Sequence, residues 1–336
     1  MQVSNIKHLV LSGGGMLGIS YIGLIKYLEE HSSLPIVNNL KSITGCSAGS
    51  IFGTLIAIGY TSIELDKIVK TMIFKEYLNI NAESIINFMR LKGLDSGKNF
   101  IKFIKKCIID KTKNENITFK EIKEKFNVEL QIGVTNLTKS KFEMMNSTNT
   151  PDIPVHIAIS ASIAMPFIFE PIIIEDDVYC DGGLINNLPI ENIFLFNKPK
   201  DDTKLKDDTK LKDNKEKDDK EKEVVEPILP QYVLGFYLMN HIDIITKYNY
   251  QNVSILHYIS VLKQSMASEF IKNKIEINNT NEIINRSNTN NKSNEKYKII
   301  IFKIPCDIMT FLKINSSHQD IDNIINIAYN TTKEYF

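Results

Sequence analysis

The chain has 336 residues, with 40 basic and 40 acidic side chains and 43% hydrophobic residues. That length supports one large domain or two small ones. The cancelling charge leaves no field that would draw nucleic acid, and the sequence has no uncharged apolar run of about 18 residues, so no transmembrane helix is expected.

A strand is expected at 7–11 (Lys7-His8-Leu9-Val10-Leu11), then Gly13-Gly14-Gly15-Met16-Leu17-Gly18 and a helix over 17–31. So early a core strand leaves no room for a signal peptide, and a cytoplasmic protein is expected. A second strand over 40–44 runs into Gly45-Cys46-Ser47-Ala48-Gly49 and a helix over 48–58. Helices follow at 62–72 and 98–110, a strand at 129–135, a helix at 154–163 and a strand at 172–180, which runs into Asp181-Gly182-Gly183. This alternation predicts an α/β fold, a mainly parallel central sheet covered by helices in three layers.

The stretch 199–227 carries Asp-Asp-Thr-Lys-Leu-Lys twice in tandem and little that is apolar. It cannot offset its ordering entropy and reads as a disordered insertion. A strand at 232–239, a helix at 254–277, a flexible Asn/Lys-rich loop at 278–296, a strand at 297–304 and a closing helix at 318–335 complete the chain. The whole reads as one domain, 6–336, with two low-complexity interruptions.

Gly45-x-Ser47-x-Gly49 stands between a strand and a helix, the setting in which a serine hydroxyl is exposed on a tight turn. The helix start behind Ser47 favours developing negative charge. Gly13-x-Gly15-x-x-Gly18 also spells the dinucleotide fingerprint, but the second strand ends Lys41-Ser42-Ile43-Thr44 with no carboxylate to hold a ribose. The alternative is an oxyanion hole, in which consecutive glycines let the amides of Gly14, Gly15 and Met16 converge. Asp181 follows Val178-Tyr179-Cys180 and precedes Gly182 and Gly183, which allow close backbone approach; Asp-Gly is also a common hairpin turn. Three histidines after Asp181, namely His241, His257 and His318, would each complete a serine–acid–histidine order. No His-Glu-x-x-His, paired Cys-x-x-Cys or calcium loop occurs, so neither a metal nor a cofactor is expected.

These residues resemble the patatin-like phospholipases, lipid acyl hydrolases that use a Ser–Asp dyad. Ser160-Ala161-Ser162-Ile163-Ala164-Met165-Pro166 with Phe169-Glu170-Pro171 is similar to the family's segment before its aspartate. Asp181 to Pro189 is similar to its Asp-Gly-Gly continuation, and Gly93-Leu94-Asp95 and Thr118-Phe119 also correspond. The likeness spans about Ile6 to Phe196. It implies Ser47 as nucleophile, Asp181 as proton acceptor, Gly13, Gly14, Gly15 and Met16 as oxyanion donors, and Gly18, Gly45, Gly49, Gly182 and Gly183 as motif glycines. It also implies a phospholipid or other fatty-acyl ester substrate and transient contact with a membrane surface. The chain departs from many members at Leu17, where Arg or Lys is common, and from plant members at Ser12, where aspartate is usual.

Two alternatives stand beside this reading: a soluble esterase with a Ser-Asp-His triad, and a non-catalytic lipid-binding protein on the same frame. Lys98, Lys102, Lys105 and Lys106 alternate with Phe100, Ile101, Phe103 and Ile104, which suits a membrane-surface helix or, better, one burying its apolar face in the core. Met72-Ile73-Phe74 and Phe88-Met89 either line an acyl pocket or pack. Cys46 and Cys180, each next to a proposed catalytic residue, read as small core residues rather than redox sensors, and with Cys107 and Cys306 they show no disulfide framework.

Overall fold

Strands buried on both faces build the middle of the sheet. In the computed structural model, which describes residues 2–32, 35–72, 82–196, 232–240, 261, 298–304 and 318–336, β1 (His8–Leu11), β2 (Ser42–Cys46) and β4 (Glu129–Asn136) are buried along their whole lengths. Such runs suit strands covered by helices on both sides. A short β3 (Gly93–Asp95) pairs in parallel with β6 (Phe167–Phe169), apart from the main sheet. The rest of the main sheet is β5 (Lys141–Met145), β7 (Ile172–Ile174), β8 (Asp177–Asp181), β9 (Val233–Asn240) and β10 (Lys298–Ile304).

The order is β10-β9-β1-β2-β4-β8-β7, with β5 also on β4. The five strands from β10 to β4 are parallel, and β5, β8 and β7 add antiparallel pairs. The mainly parallel α/β architecture is therefore as expected. The predicted strand 172–180 is instead a hairpin, β7 and β8, turning at Glu175, whose φ is 54°. The apolar run concealed the turn chemistry of Glu175-Asp176.

The helices are α1 (Ser20–Glu30), α2 (Ile36–Asn39), α3 (Ala48–Ala57), α4 (Ser62–Thr71), α5 (Ala82–Leu91), α6 (Lys98–Thr112), α7 (Phe119–Phe126), α8 (Val155–Ile163), α9 (Ile190–Phe196) and α10 (His318–Tyr335). The predicted helix at 17–31 begins as a 3-10 turn, Gly15–Ile19, before α1. On α6, Ile104, Cys107 and Ile108 are buried, so its apolar side faces the core. The segment 199–227, the loop 278–296, residues 73–74, His241, His257, Cys306 and all but residue 261 of the helix expected at 254–277 lie outside the described residues.

Register along β4 assembles the site. Residues Ile132 and Gly133 pair with both β2 and β5, so those two strands lie on opposite edges of β4. Residues Val134 to Asn136 pair with both β5 and β8, which puts β8 on the same edge as β2. Along that edge β2 ends with Cys46 opposite Gly133, and β8 arrives from the other direction with Asp181 opposite Val134. The two strands meet end to end. The residue after β2 and the last residue of β8 are thus neighbours, at the carboxyl ends of the parallel strands, where open α/β sheets bind ligands.

Candidate active site

Ser47 closes β2 and opens α3 with φ 51° and ψ −122°, a backbone region that strains any residue bearing a β-carbon. The surroundings hold it there. Its amide donates to Ser162 Oγ at 2.8 Å, and Ser162 in turn donates to the Gly133 carbonyl at 2.7 Å. The flanking glycines are steric necessities: a β-carbon on Gly45 would lie 2.2 Å from the Gly49 carbonyl oxygen, and one on Gly49 would lie 2.2 Å from that of Leu11.

Asp181 is 1% exposed and held at every polar atom of its backbone and side chain. Its Oδ2 accepts from Ser47 Oγ at 2.8 Å and its Oδ1 from the Gly183 amide at 2.7 Å. Its amide donates to the Ala164 carbonyl at 2.9 Å, and its carbonyl accepts from Thr135 Oγ1 at 3.0 Å. Serine and carboxylate are in direct contact, with no imidazole between them. Ser47 itself is 6% exposed, so the pair sits in a nearly dry site where electrostatic effects are strong.

The glycine loop follows β1 and abuts the serine: a β-carbon on Gly13 would lie 2.8 Å from Ser47 Cβ. Asn187 clamps the loop. Its Oδ1 accepts from the Gly13 amide at 3.1 Å, and its Nδ2 donates to the Gly13 carbonyl at 3.1 Å. Gly13, expected as an oxyanion donor, therefore has its amide engaged by Asn187. The amides of Gly14, Gly15 and Met16 open the 3-10 turn and have no hydrogen-bond acceptor among the described residues, as the first amides of a helical turn must. Gly18 packs against Ala48 and Phe52, joining this turn to α3.

The two departures from the family pattern are absorbed by the core. Leu17 is 1% exposed, and the fully buried Ser12 hydroxyl accepts from the Leu238 amide at 2.9 Å and donates to the Gly13 carbonyl. Tyr21 donates to the Ser12 carbonyl at 2.6 Å, and burial first of all pushes its phenol well above the usual range.

Of the late histidines, His318 is exposed at the start of α10 with Nε2 3.2 Å from the Lys70 carbonyl. His8 lies at the opposite end of β1 from the glycine loop, beside Ser42. His156 is at the start of α8, and burial lowers its pKa. Cys46, Cys107 and Cys180 are buried. Among the described residues no cluster of His, Cys, Asp or Glu would hold a metal, and no helix is long and apolar enough to cross a membrane.

Sequence reasoning assigned no role to Ser162 or Asn187. Both lie in segments that carry the family likeness, so the signal was present. What each one holds is decided by residues more than 100 positions away, Ser47 for Ser162 and Gly13 for Asn187.

The chain is similar to several known proteins. A protein of Acanthamoeba polyphaga mimivirus is 34% identical over 187 residues, covering 56% of this chain and 61% of its own. The "Probable lipid hydrolase 463L" of Invertebrate iridescent virus 6 is 32% identical over 200 residues, covering 59% of this chain and 67% of its own. Triacylglycerol lipase ptl3 of Schizosaccharomyces pombe is 26% identical, with 54% of this chain and 40% of that protein covered. This chain thus spans about three-fifths to two-thirds of the two viral relatives. In three dimensions VipD of Legionella pneumophila has the same fold, with a TM-score of 0.55 at 17% identity over 98% of this chain and 66% of VipD. The patatin-like phospholipase family profile matches residues 9–194, more than half of the sequence and the whole of the serine, aspartate and glycine-loop arrangement, and the chain belongs to that family.

Proposed function

We propose that the protein hydrolyses fatty-acyl esters of lipids, phospholipids foremost, through Ser47 and Asp181. The observation that carries this reading is the 2.8 Å bond from Ser47 Oγ to Asp181 Oδ2 at a strained strand–helix turn. Ser47 Oγ attacks the ester carbonyl carbon while its proton passes to Asp181. The oxyanion forms against the amides of Gly14, Gly15 and Met16, which replace water as hydrogen-bond donors. Collapse expels the alcohol, which takes the proton from Asp181, and leaves an acyl-serine. Asp181 then deprotonates a water that attacks the acyl carbonyl. The fatty acid departs and Ser47 recovers its proton.

The direct serine–carboxylate contact favours a dyad over a triad. Relatives named lipid hydrolase, triacylglycerol lipase and lysophospholipase support a lipid ester as substrate. Such substrates reside in bilayers and droplets, so the protein works in transient contact with a lipid surface.

The test is labelling with a fluorophosphonate probe together with turnover of a phospholipid panel. Wild type is expected to label, Ser47→Ala to lose labelling entirely, and Asp181→Asn to lose roughly 10²- to 10⁴-fold in turnover. Near-wild-type turnover by Asp181→Asn would overturn the dyad.

A further inference from the structure

Most apolar side chains of the described residues are buried, but α5 is an exception. None of its ten residues is buried, although five of them are large and apolar. At 100° per residue, Ala82, Ile85, Ile86 and Met89 fall within one arc of about 100°, and Ser84, Asn87, Phe88 and Leu91 fill the opposite side. Ile85, Ile86 and Met89 are 66%, 79% and 75% exposed, whereas Phe88 and Leu91 are half-buried. The helix therefore rests on its second side and turns its more aliphatic side to solvent, against the usual arrangement.

A second apolar group supports the side on which the helix rests. Phe88 meets Phe167 with ring centroids 6.2 Å apart, and Phe167 is itself 50% exposed with a φ of 71°. Phe167 stands three residues after Ala164, whose carbonyl holds the Asp181 amide, so this apolar face is joined by a short rigid path to the catalytic carboxylate.

The sequence through and after α5 is mostly basic. The whole chain is neutral, yet residues 82–106 hold six basic and two acidic residues. One of the acids, Asp95, is buried and accepts from the Gly97 amide. Arg90, Lys92 and Lys98 are exposed along the same segment; Lys92 binds the Met89 carbonyl, and Gly97, next to Lys98, packs on the Phe169 ring of β6. Aliphatic side chains flanked along the chain by exposed cations suit an anionic bilayer surface: the apolar groups enter the acyl boundary and the cations remain at the phosphates.

Resting on the hydrolase reading above, we propose that the outward face of α5, carried on Phe167, docks the protein on anionic phospholipid bilayers and presents the Ser47 site to them.

The test is co-sedimentation of the full chain with phosphatidylcholine vesicles, pure or with about 30% phosphatidylserine. Wild type and Ser47→Ala are expected to bind the anionic vesicles alike. Ile86→Glu/Met89→Glu is expected to lose binding by roughly tenfold or more, and Arg90→Gln/Lys92→Gln to lose the preference for phosphatidylserine. Both pairs should hydrolyse a short-chain soluble ester as wild type does, which also shows that they fold. Ile86→Ser/Met89→Ser serves if the glutamates disturb folding. Vesicle binding unchanged in these variants, no wild-type binding, or a wild-type dimer made monomeric by Ile86→Glu/Met89→Glu would each overturn the proposal. Loss of Ser47 labelling with vesicle binding intact would instead overturn the hydrolase reading and leave the docking surface standing.

Discussion

At the scale of single residues, Ser162 and Asn187 position the two halves of the site without belonging to the proposed Ser47–Asp181 pair. Ser162 bridges the strained Ser47 amide and the Gly133 carbonyl, and Ser162→Ala leaves both buried groups unpaired. We expect that variant to lose about 1–3 kcal/mol of stability in urea titrations. Asn187→Ala removes the side-chain clamp from the Gly13 amide and carbonyl and leaves the weaker Asn187 backbone and Ser12 bonds, so the adjoining amides that the proposed mechanism uses lose part of their fixed aim. Its kcat on a soluble ester should fall by roughly tenfold or more with KM little changed, since the missing interaction serves the transition state. Equal kcat in variant and wild type would remove Asn187 from that role. The motif glycines and Ser47 are legible in the linear sequence because their spacing answers a local steric need. Ser162 and Asn187 are not, because each acts across the fold.

At the scale of elements, α1 and α10 come together through Gly23. A β-carbon there would lie 2.1 Å from the Ile325 carbonyl oxygen and 2.8 Å from the Tyr329 amide. Backbone cannot yield as a flexible side chain does, so Gly23→Ala should separate the helices and cost about 1–3 kcal/mol or more, read as a lowered urea midpoint. Tyr27 packs edge-on to Tyr329 in the same seam, with centroids 5.6 Å apart. Helix α7 was within reach of sequence reasoning, since Thr118 and Glu121 form a full capping box at its start. The strand β5 was less so: its residues run from exposed Lys141 through partly buried ones to buried Met145, with no alternation. The turn between β7 and β8 lay inside an apolar run whose two halves pair only with each other and with β4.

For the molecule as a whole, acid sensitivity follows from a buried histidine. Burial, followed by the nearby Lys41 and Lys7, lowers the His8 pKa from 6.5 to about 4. The unfolded chain therefore binds a proton between those values that the folded chain refuses. The stabilisation is complete above about pH 6.5 and is lost as pH falls towards 4, by up to about 3 kcal/mol. His156, lowered by burial and then by Lys105, acts in the same direction. His8→Gln should lose less stability than wild type between pH 6.5 and 4.5 in urea titrations. Parallel curves would show that His8 is not responsible.

The sequence by itself determined the parts: a strand–glycine–helix unit at each of β1 and β2, the serine turn, the Asp-Gly-Gly end of β8 and the parallel character of the sheet. Those properties come from local sterics and periodicity, which act over a few residues. Tertiary structure alone decided that β2 and β8 meet end to end along one edge of β4, so that residues 134 apart in sequence share a hydrogen bond. It also decided that the Gly13 amide is engaged by Asn187 and that α5 turns its aliphatic side outward. Register and burial are settled by what else packs alongside, and no window of neighbouring residues contains that partner.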